Sequence, residues 1–100
     1  MIDKKISNEF QNNGVVLLKR IIDQKWIEEL RKGVEHNFQN PSKYKCVYEE
    51  VNNQEVFYDD YCNWQRIKEY RNFIFNSNIA KIAGSLMKSK KVNLFHEHVL

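Results

Sequence analysis

His96, Glu97 and His98 are the side chains of this 100-residue sequence whose types and spacing come nearest to a ligand-binding or reactive constellation. Two imidazoles and a carboxylate are the donor set of a non-haem iron site, but such a site needs all three on one side of the metal, with positions left open for oxygen and a cosubstrate. Here the order is wrong. Residues 92–100, Val-Asn-Leu-Phe-His-Glu-His-Val-Leu, read as an apolar strand. The period of two puts His96 and His98 on one face and Glu97 on the other. Neighbouring imidazoles on a buried strand cost free energy unless they hold a metal, meet an anionic ligand or are hydrogen-bonded to the protein. All three uses stay open on spacing alone.

A His-x-His pair also begins the metal site of many cupin barrels, yet the carboxylate and histidine such a site needs downstream do not follow His98. Asp59 and Asp60, flanked by Tyr58 and Tyr61, are a second candidate. Consecutive carboxylates on a strand point to opposite faces and chelate one ion poorly, so this pair reads as a solvated strand end or a helix cap. His36, beside Glu35, reads as an exposed helical residue without a role. The sequence contains no glycine-rich phosphate loop, no nucleophile elbow and no Cys-x-x-Cys. Cys46 and Cys62 have no metal-type spacing and read as free thiols in a reducing compartment.

Hydrophobic residues make up 42% and aromatics 13% of the chain, a globular rather than a disordered composition. A formal charge of +3 is spread along helical stretches, which argues against nucleic acid as a partner. The densest basic cluster, Lys88, Lys90 and Lys91, falls where a helix should end, where cations complement the dipole at a solvated corner. No window approaches the roughly 20 apolar residues of a membrane span, and no signal-length apolar stretch follows Met1. A soluble, cytoplasmic protein is the expectation.

The elements that must position the histidines follow from periodicity. Ser7 is a cap for a helix that Gly14 ends, and residues 15–18 read as a short buried strand. Asp23 caps an amphipathic helix carrying Trp26, Ile27, Leu30, Val34 and Phe38, with a Glu28–Lys32 pair on its outer face. Asn40-Pro41-Ser42 breaks it. Residues 44–51 and 55–61 read as two extended segments around the polar turn 52–54. From Asn63 a helix presents Trp64, Ile67, Tyr70, Phe73 and Ile74. Ser77 caps the next helix, with Ile79, Ile82, Ala83, Leu86 and Met87 in its stripe and Ala80, Ala83 and Gly84 allowing close approach.

Phe10-x3-Gly14-Val-Val-Leu-Leu, the helix around Trp26, the Asp60/Trp64 spacing, Asn63-Trp-Gln-Arg-Ile, Phe75-x-Ser77-x-Ile79-Ala80-x-Ile82-Ala83-x3-Met87 and Leu94-Phe-His-Glu-His-Val-Leu together resemble the opening of a phytanoyl-CoA dioxygenase family protein. The resemblance covers nearly the whole chain. It implies an iron(II)- and 2-oxoglutarate-dependent oxygenase built on a double-stranded β-helix, a cupin-like jelly roll, with N-terminal helices buttressing one sheet and residues 92–100 as an early barrel strand. Such enzymes couple oxidative decarboxylation of 2-oxoglutarate to hydroxylation of a small organic substrate. The family's His-x-Asp iron motif, its later histidine and its cosubstrate arginine have no counterpart here, so no catalytic or metal-ligating residue is assigned.

The resemblance places His98 where relatives line the 2-oxoglutarate pocket, His96 two positions deeper on that face, and Arg66 and Trp64 near the pocket mouth. Trp64 reads better as a core aromatic. The expected fold class is therefore α+β: one region, residues 1–100, made of N-terminal helices and the first strands of the barrel, and ending before the iron site. Iron(II) and 2-oxoglutarate belong to the full-length relative, and this piece alone is expected to bind neither and to be inactive. The other reading is a standalone α+β module that self-associates, or takes up a partner, through the edge of its terminal strand.

Overall fold

Asp3, rather than Ser7, starts the first helix in the computed structural model, which describes residues 2–49 and 56–100. Helix α1 (Lys4–Asn13) is capped by the Asp3 carboxylate, which accepts the Ile6 N–H at 2.9 Å, a contact worth about 1 kcal/mol. Ser7 lies buried in the first turns instead and donates its hydroxyl to the Ser85 carbonyl at 3.2 Å. The helix ends as the sequence predicts: Gly14 adopts φ 72°, a left-handed conformation that costs glycine nothing, and returns its N–H to the Phe10 carbonyl.

Residues 15–18 are not a buried strand. They form no ladder among the described residues, and Val15 and Leu17 are 69% and 76% exposed. An apolar run becomes a strand only where a neighbour accepts its backbone bonds, and the sheet lies elsewhere.

Helix α2 (Gln24–Gln39) begins after Asp23 and stops at Asn40, before Pro41. Asp23 contributes its backbone carbonyl, not its side chain, to the cap. Glu28 pairs with Arg31 at 2.8 Å and with Gln24, in place of Lys32. Both members of the ion pair are more than half exposed, so it adds little to stability. Helix α3 (Lys68–Asn76) packs against α2 through Gly33, where an added Cβ would sit 2.7 Å from the Tyr70 ring. Trp26 meets Phe73 edge-on at 5.9 Å across the same contact.

The helix expected from Asn63 starts later, because Asn63 is occupied as the head of a turn. Its carbonyl accepts the Arg66 and Ile67 N–H groups, and its side-chain NH2 donates to the Tyr61 carbonyl at 3.1 Å. Helix α4 (Ile79–Met87) begins after Asn78, with Ser77 Oγ accepting the Ile79 N–H at 3.3 Å, and packs against α1. Lys88, at φ 53°, closes it, and the lysines after it are exposed as the charge pattern predicts.

The sheet comprises β1 (Cys46–Glu49), β2 (Val56–Tyr61) and β3 (His98–Val99) in the order β1-β2-β3, all antiparallel. The two expected extended segments pair antiparallel through Cys46–Glu49 and Val56–Asp59, and residues 50–55, which include the expected turn at 52–54, lie outside the described residues. The terminal strand is shorter than expected. Only residues 98 and 99 pair, opposite Tyr61 and Asp60, while 92–97 run without a ladder among the described residues. The chain is thus α+β, with four helices among the described residues beside a small antiparallel sheet. No helix among the described residues is long and apolar enough to cross a membrane. Among the described residues, Ile67, Tyr70 and Ile82 are the buried apolar ones, and Asn37, Asp60 and Asn63 are buried completely.

Candidate functional site

Strand alternation divides the sheet into two unlike faces. On β2, Tyr58 and Asp60 turn toward α2, while Phe57, Asp59 and Tyr61 turn away from it. Tyr58 meets Phe38 edge-on at 4.3 Å, and Asp60 meets Asn37. The outer face is a wall of phenols and imidazoles. Tyr44 stacks on Tyr61 at 4.7 Å, and the Tyr61 ring lies 5.3 Å from His98 and 5.7 Å from His96. Phe95 flanks His96 at 4.5 Å, and Tyr48 meets Phe57 on the same face at 5.6 Å.

His96 and His98 therefore share a face, as the period of two predicts, with ring centres 6.3 Å apart. Both keep part of their surface open to solvent. Asp59 stands 3.6 Å from His98 Nε2, too long for a good hydrogen bond and short enough for a charge contact when the imidazole is protonated. The wall offers donors to an anion and flat rings to a planar group. Among the described residues, no group of three or more His, Cys, Asp and Glu side chains is placed to hold a metal ion.

Glu97 lies opposite, as expected, and has a task that spacing did not reveal. One carboxylate oxygen accepts the backbone N–H groups of both Asn63 and Trp64, the second at 2.6 Å. The Cys62 N–H adds a bond to the Glu97 carbonyl at 3.2 Å. This clamp holds the turn after β2 against the segment that carries the histidines.

Arg66 does not reach toward the wall. Its guanidinium spends Nε and Nη2 on Asn63 Oδ1, with Nε at 2.8 Å, and so braces the turn. Trp64 is half-buried, 5.9 Å from Phe75, and lines an apolar groove of about 650 Å³ with Tyr70, Phe73, Leu94 and Phe95.

Asp60 is neither a solvated strand end nor a helix cap. It is wholly buried and accepts from Asn37 Nδ2 and the Ser42 N–H at 2.8 Å each, the Tyr61 N–H at 2.9 Å and the Ser42 hydroxyl. Burial pushes its carboxyl pKa up, but these donors outweigh burial and hold it below the ordinary 3.8. The Tyr70 hydroxyl completes the network by donating to Asn37 Oδ1 at 3.1 Å, and burial first, then nearby carboxylates, raise that phenol's pKa. His36 also has a partner that the sequence did not show: its Nδ1 lies 2.8 Å from Oε1 of the buried Glu69, tying α2 to α3. Cys46 and Cys62 are free and exposed.

Comparison with family models, curated proteins and solved structures finds no match.

Proposed function

We propose that this chain supplies the helical buttress and first strands of an iron(II)- and 2-oxoglutarate-dependent oxygenase of the phytanoyl-CoA dioxygenase type, with the His96/His98 face as the wall turned toward the cosubstrate. The observation that carries this reading is the asymmetry of the sheet. Helix α2 backs one face through Asn37 and Phe38, and the other presents His96, His98, Tyr61 and Tyr44 to the open side, where a second sheet would close a barrel. That is the arrangement the sequence resemblance implies. It also suits a dicarboxylate, because imidazole N–H groups donate to carboxylates and rings cover the carbon chain.

The iron ligands of such an enzyme belong to residues other than these, and His96 and His98 are assigned to the cosubstrate alone. His98 is the donor of first choice, since Tyr61 and Asp59 restrict its ring from two sides. His96 lies behind it. Arg66 acts on the turn and not on the ligand. The substrate is a small organic molecule, which the wall by itself does not select.

Reading the source DNA beyond the Leu100 codon tests the proposal directly. An open frame with His-x-Asp, then a later histidine and arginine, supports it. An in-frame stop overturns it for this product.

A further inference from the structure

We propose that Ser42 is a positioning residue for the wall that carries His98. Its hydroxyl joins the buried Asp60 carboxylate to the backbone of Tyr44, and so holds the ring stack against which the His98 imidazole is set. The ligand that this serves, 2-oxoglutarate, comes from the oxygenase reading, on which the inference rests.

Tyr44 needs a tether of this kind. It lies in the turn before β1, outside the ladder that starts at Cys46. Its N–H donates instead to Ser42 Oγ at 3.0 Å, a serine bonded to the backbone two residues on. A hydroxyl has one proton and two lone pairs. Ser42 donates the proton to Asp60 Oδ1 and accepts the Tyr44 N–H, while its own N–H donates to Asp60 Oδ2 at 2.8 Å. The serine is therefore held at two points by a carboxylate with no exposed surface. It passes that fixed position to a residue that has no ladder bond.

The second ring of the stack hangs from the same oxygen. Asp60 Oδ1 also accepts the Tyr61 N–H at 2.9 Å. Tyr44 and Tyr61 thus reach one anchor by two routes, Tyr61 directly and Tyr44 through the serine hydroxyl. Their rings lie 4.7 Å apart and 20° from parallel, within the range of an attractive offset pair. Stacking by Tyr44 limits the rotamers open to Tyr61. Tyr61 in turn lies 5.3 Å from the His98 ring and is paired with that residue across β2 and β3. A donor that is aimed before its ligand arrives keeps the free energy that ordering it on binding would cost.

Asp60 organises the fold as a whole, whereas the Ser42 hydroxyl is the branch that leads to the wall. Deleting that hydroxyl leaves the carboxylate with Asn37 Nδ2 and the Ser42 and Tyr61 N–H groups as donors. The buried charge stays satisfied, so the chain stays folded.

Ser42→Ala, Ser42→Thr and Tyr44→Leu in the full-length oxygenase proposed above test this. Ser42→Ala should raise the dissociation constant and the KM for 2-oxoglutarate roughly 3- to 10-fold, the effect of losing one hydrogen bond, with kcat at saturating cosubstrate retained. Ser42→Thr keeps the hydroxyl and should restore both constants. Tyr44→Leu, which leaves every donor to Asp60 in place, should give a rise of the same size. The double variant should rise no further, since both changes cut one chain of contacts. Without any ligand, the His98 ring signals in nuclear magnetic resonance spectra should move in Ser42→Ala and Tyr44→Leu and return in Ser42→Thr. An unchanged KM, additive effects in the double variant, a loss confined to kcat, or no rescue by threonine each overturns the proposal. Unmoved His98 signals in a protein that binds 2-oxoglutarate overturn the serine link and leave the oxygenase reading standing. A wild-type protein that binds no 2-oxoglutarate overturns that reading, and the ligand role of Ser42 with it.

Discussion

Asn37 and Asp60 lie 23 positions apart in sequence and 2.8 Å apart in the fold, and neither exposes any surface. The bond joins helix α2 to the middle strand of the sheet. Ser42 and Tyr61 supply the other donors to the carboxylate, so one buried charge organises the end of α2, the loop after it and β2. A buried carboxylate of this kind is tolerable only because its donors are already in place.

Removing it should therefore be costly. Asp60→Ala leaves the Asn37 amide and the Ser42 N–H without their acceptor, and a loss of about 2–4 kcal/mol is expected. Urea unfolding of the two proteins measures the difference, and a change below about 0.5 kcal/mol would show that water replaces the carboxylate.

The same carboxylate sets an acid limit. Its folded pKa is depressed below the ordinary 3.8, so its stabilisation is complete above that value and disappears as pH falls through the lower folded value. Urea midpoints between pH 6 and pH 2 should drop below about pH 4. Asp60→Asn should start lower and lose less stability over that interval.

Gly33 marks the closest approach of α2 and α3. A methyl group there meets the Tyr70 ring at 2.7 Å and the Glu69 Cβ at 3.0 Å. Gly33→Ala gains helix propensity but must push the helices apart, and a net loss of about 1–3 kcal/mol is expected. Thermal unfolding followed by far-ultraviolet circular dichroism reports the sign.

Glu97→Ala should loosen the turn at Asn63 and Trp64, whose backbone N–H groups lose their acceptor. A loss of about 1–3 kcal/mol should come with a red shift of Trp64 emission, read in a Trp26→Phe background. An unchanged spectrum would mean that the turn holds itself.

Titration with 2-oxoglutarate checks the proposed wall. In the full-length oxygenase proposed above, the ring signals of His98 and then His96 should move, while His36, engaged with Glu69 at 2.8 Å, should not. Equal shifts at all three histidines would indicate charge screening rather than a site.

Local punctuation was legible in the sequence. Gly14 and Pro41 end their helices where they should, and a period of two correctly put His96 and His98 on the face opposite Glu97. Partnerships across the chain were not. Asp60 looked solvated because its acceptor role depends on Asn37 and Ser42, which no local pattern links to it. His36 looked idle because Glu69 lies on another helix. Residues 15–18 and 92–97 failed as strands for a common reason: side-chain pattern reports which face could be buried, while a ladder also needs a neighbour with open backbone groups.

The Glu97 clamp closes a loop. Its carboxylate returns to the Asn63 N–H 34 positions earlier, so α3 and α4 form an excursion that leaves the sheet and comes back to nearly the same place. An excursion with fixed ends is free to vary only where nothing else holds it. Tyr70, Ile82 and Ser85 are committed to the core, the Asn37 amide and helix α1, whereas Arg71, Asn76 and Lys81 are exposed. Substitution on those exposed faces leaves the histidine-bearing segment registered against β2 as long as Glu97 and the turn at Asn63 are retained.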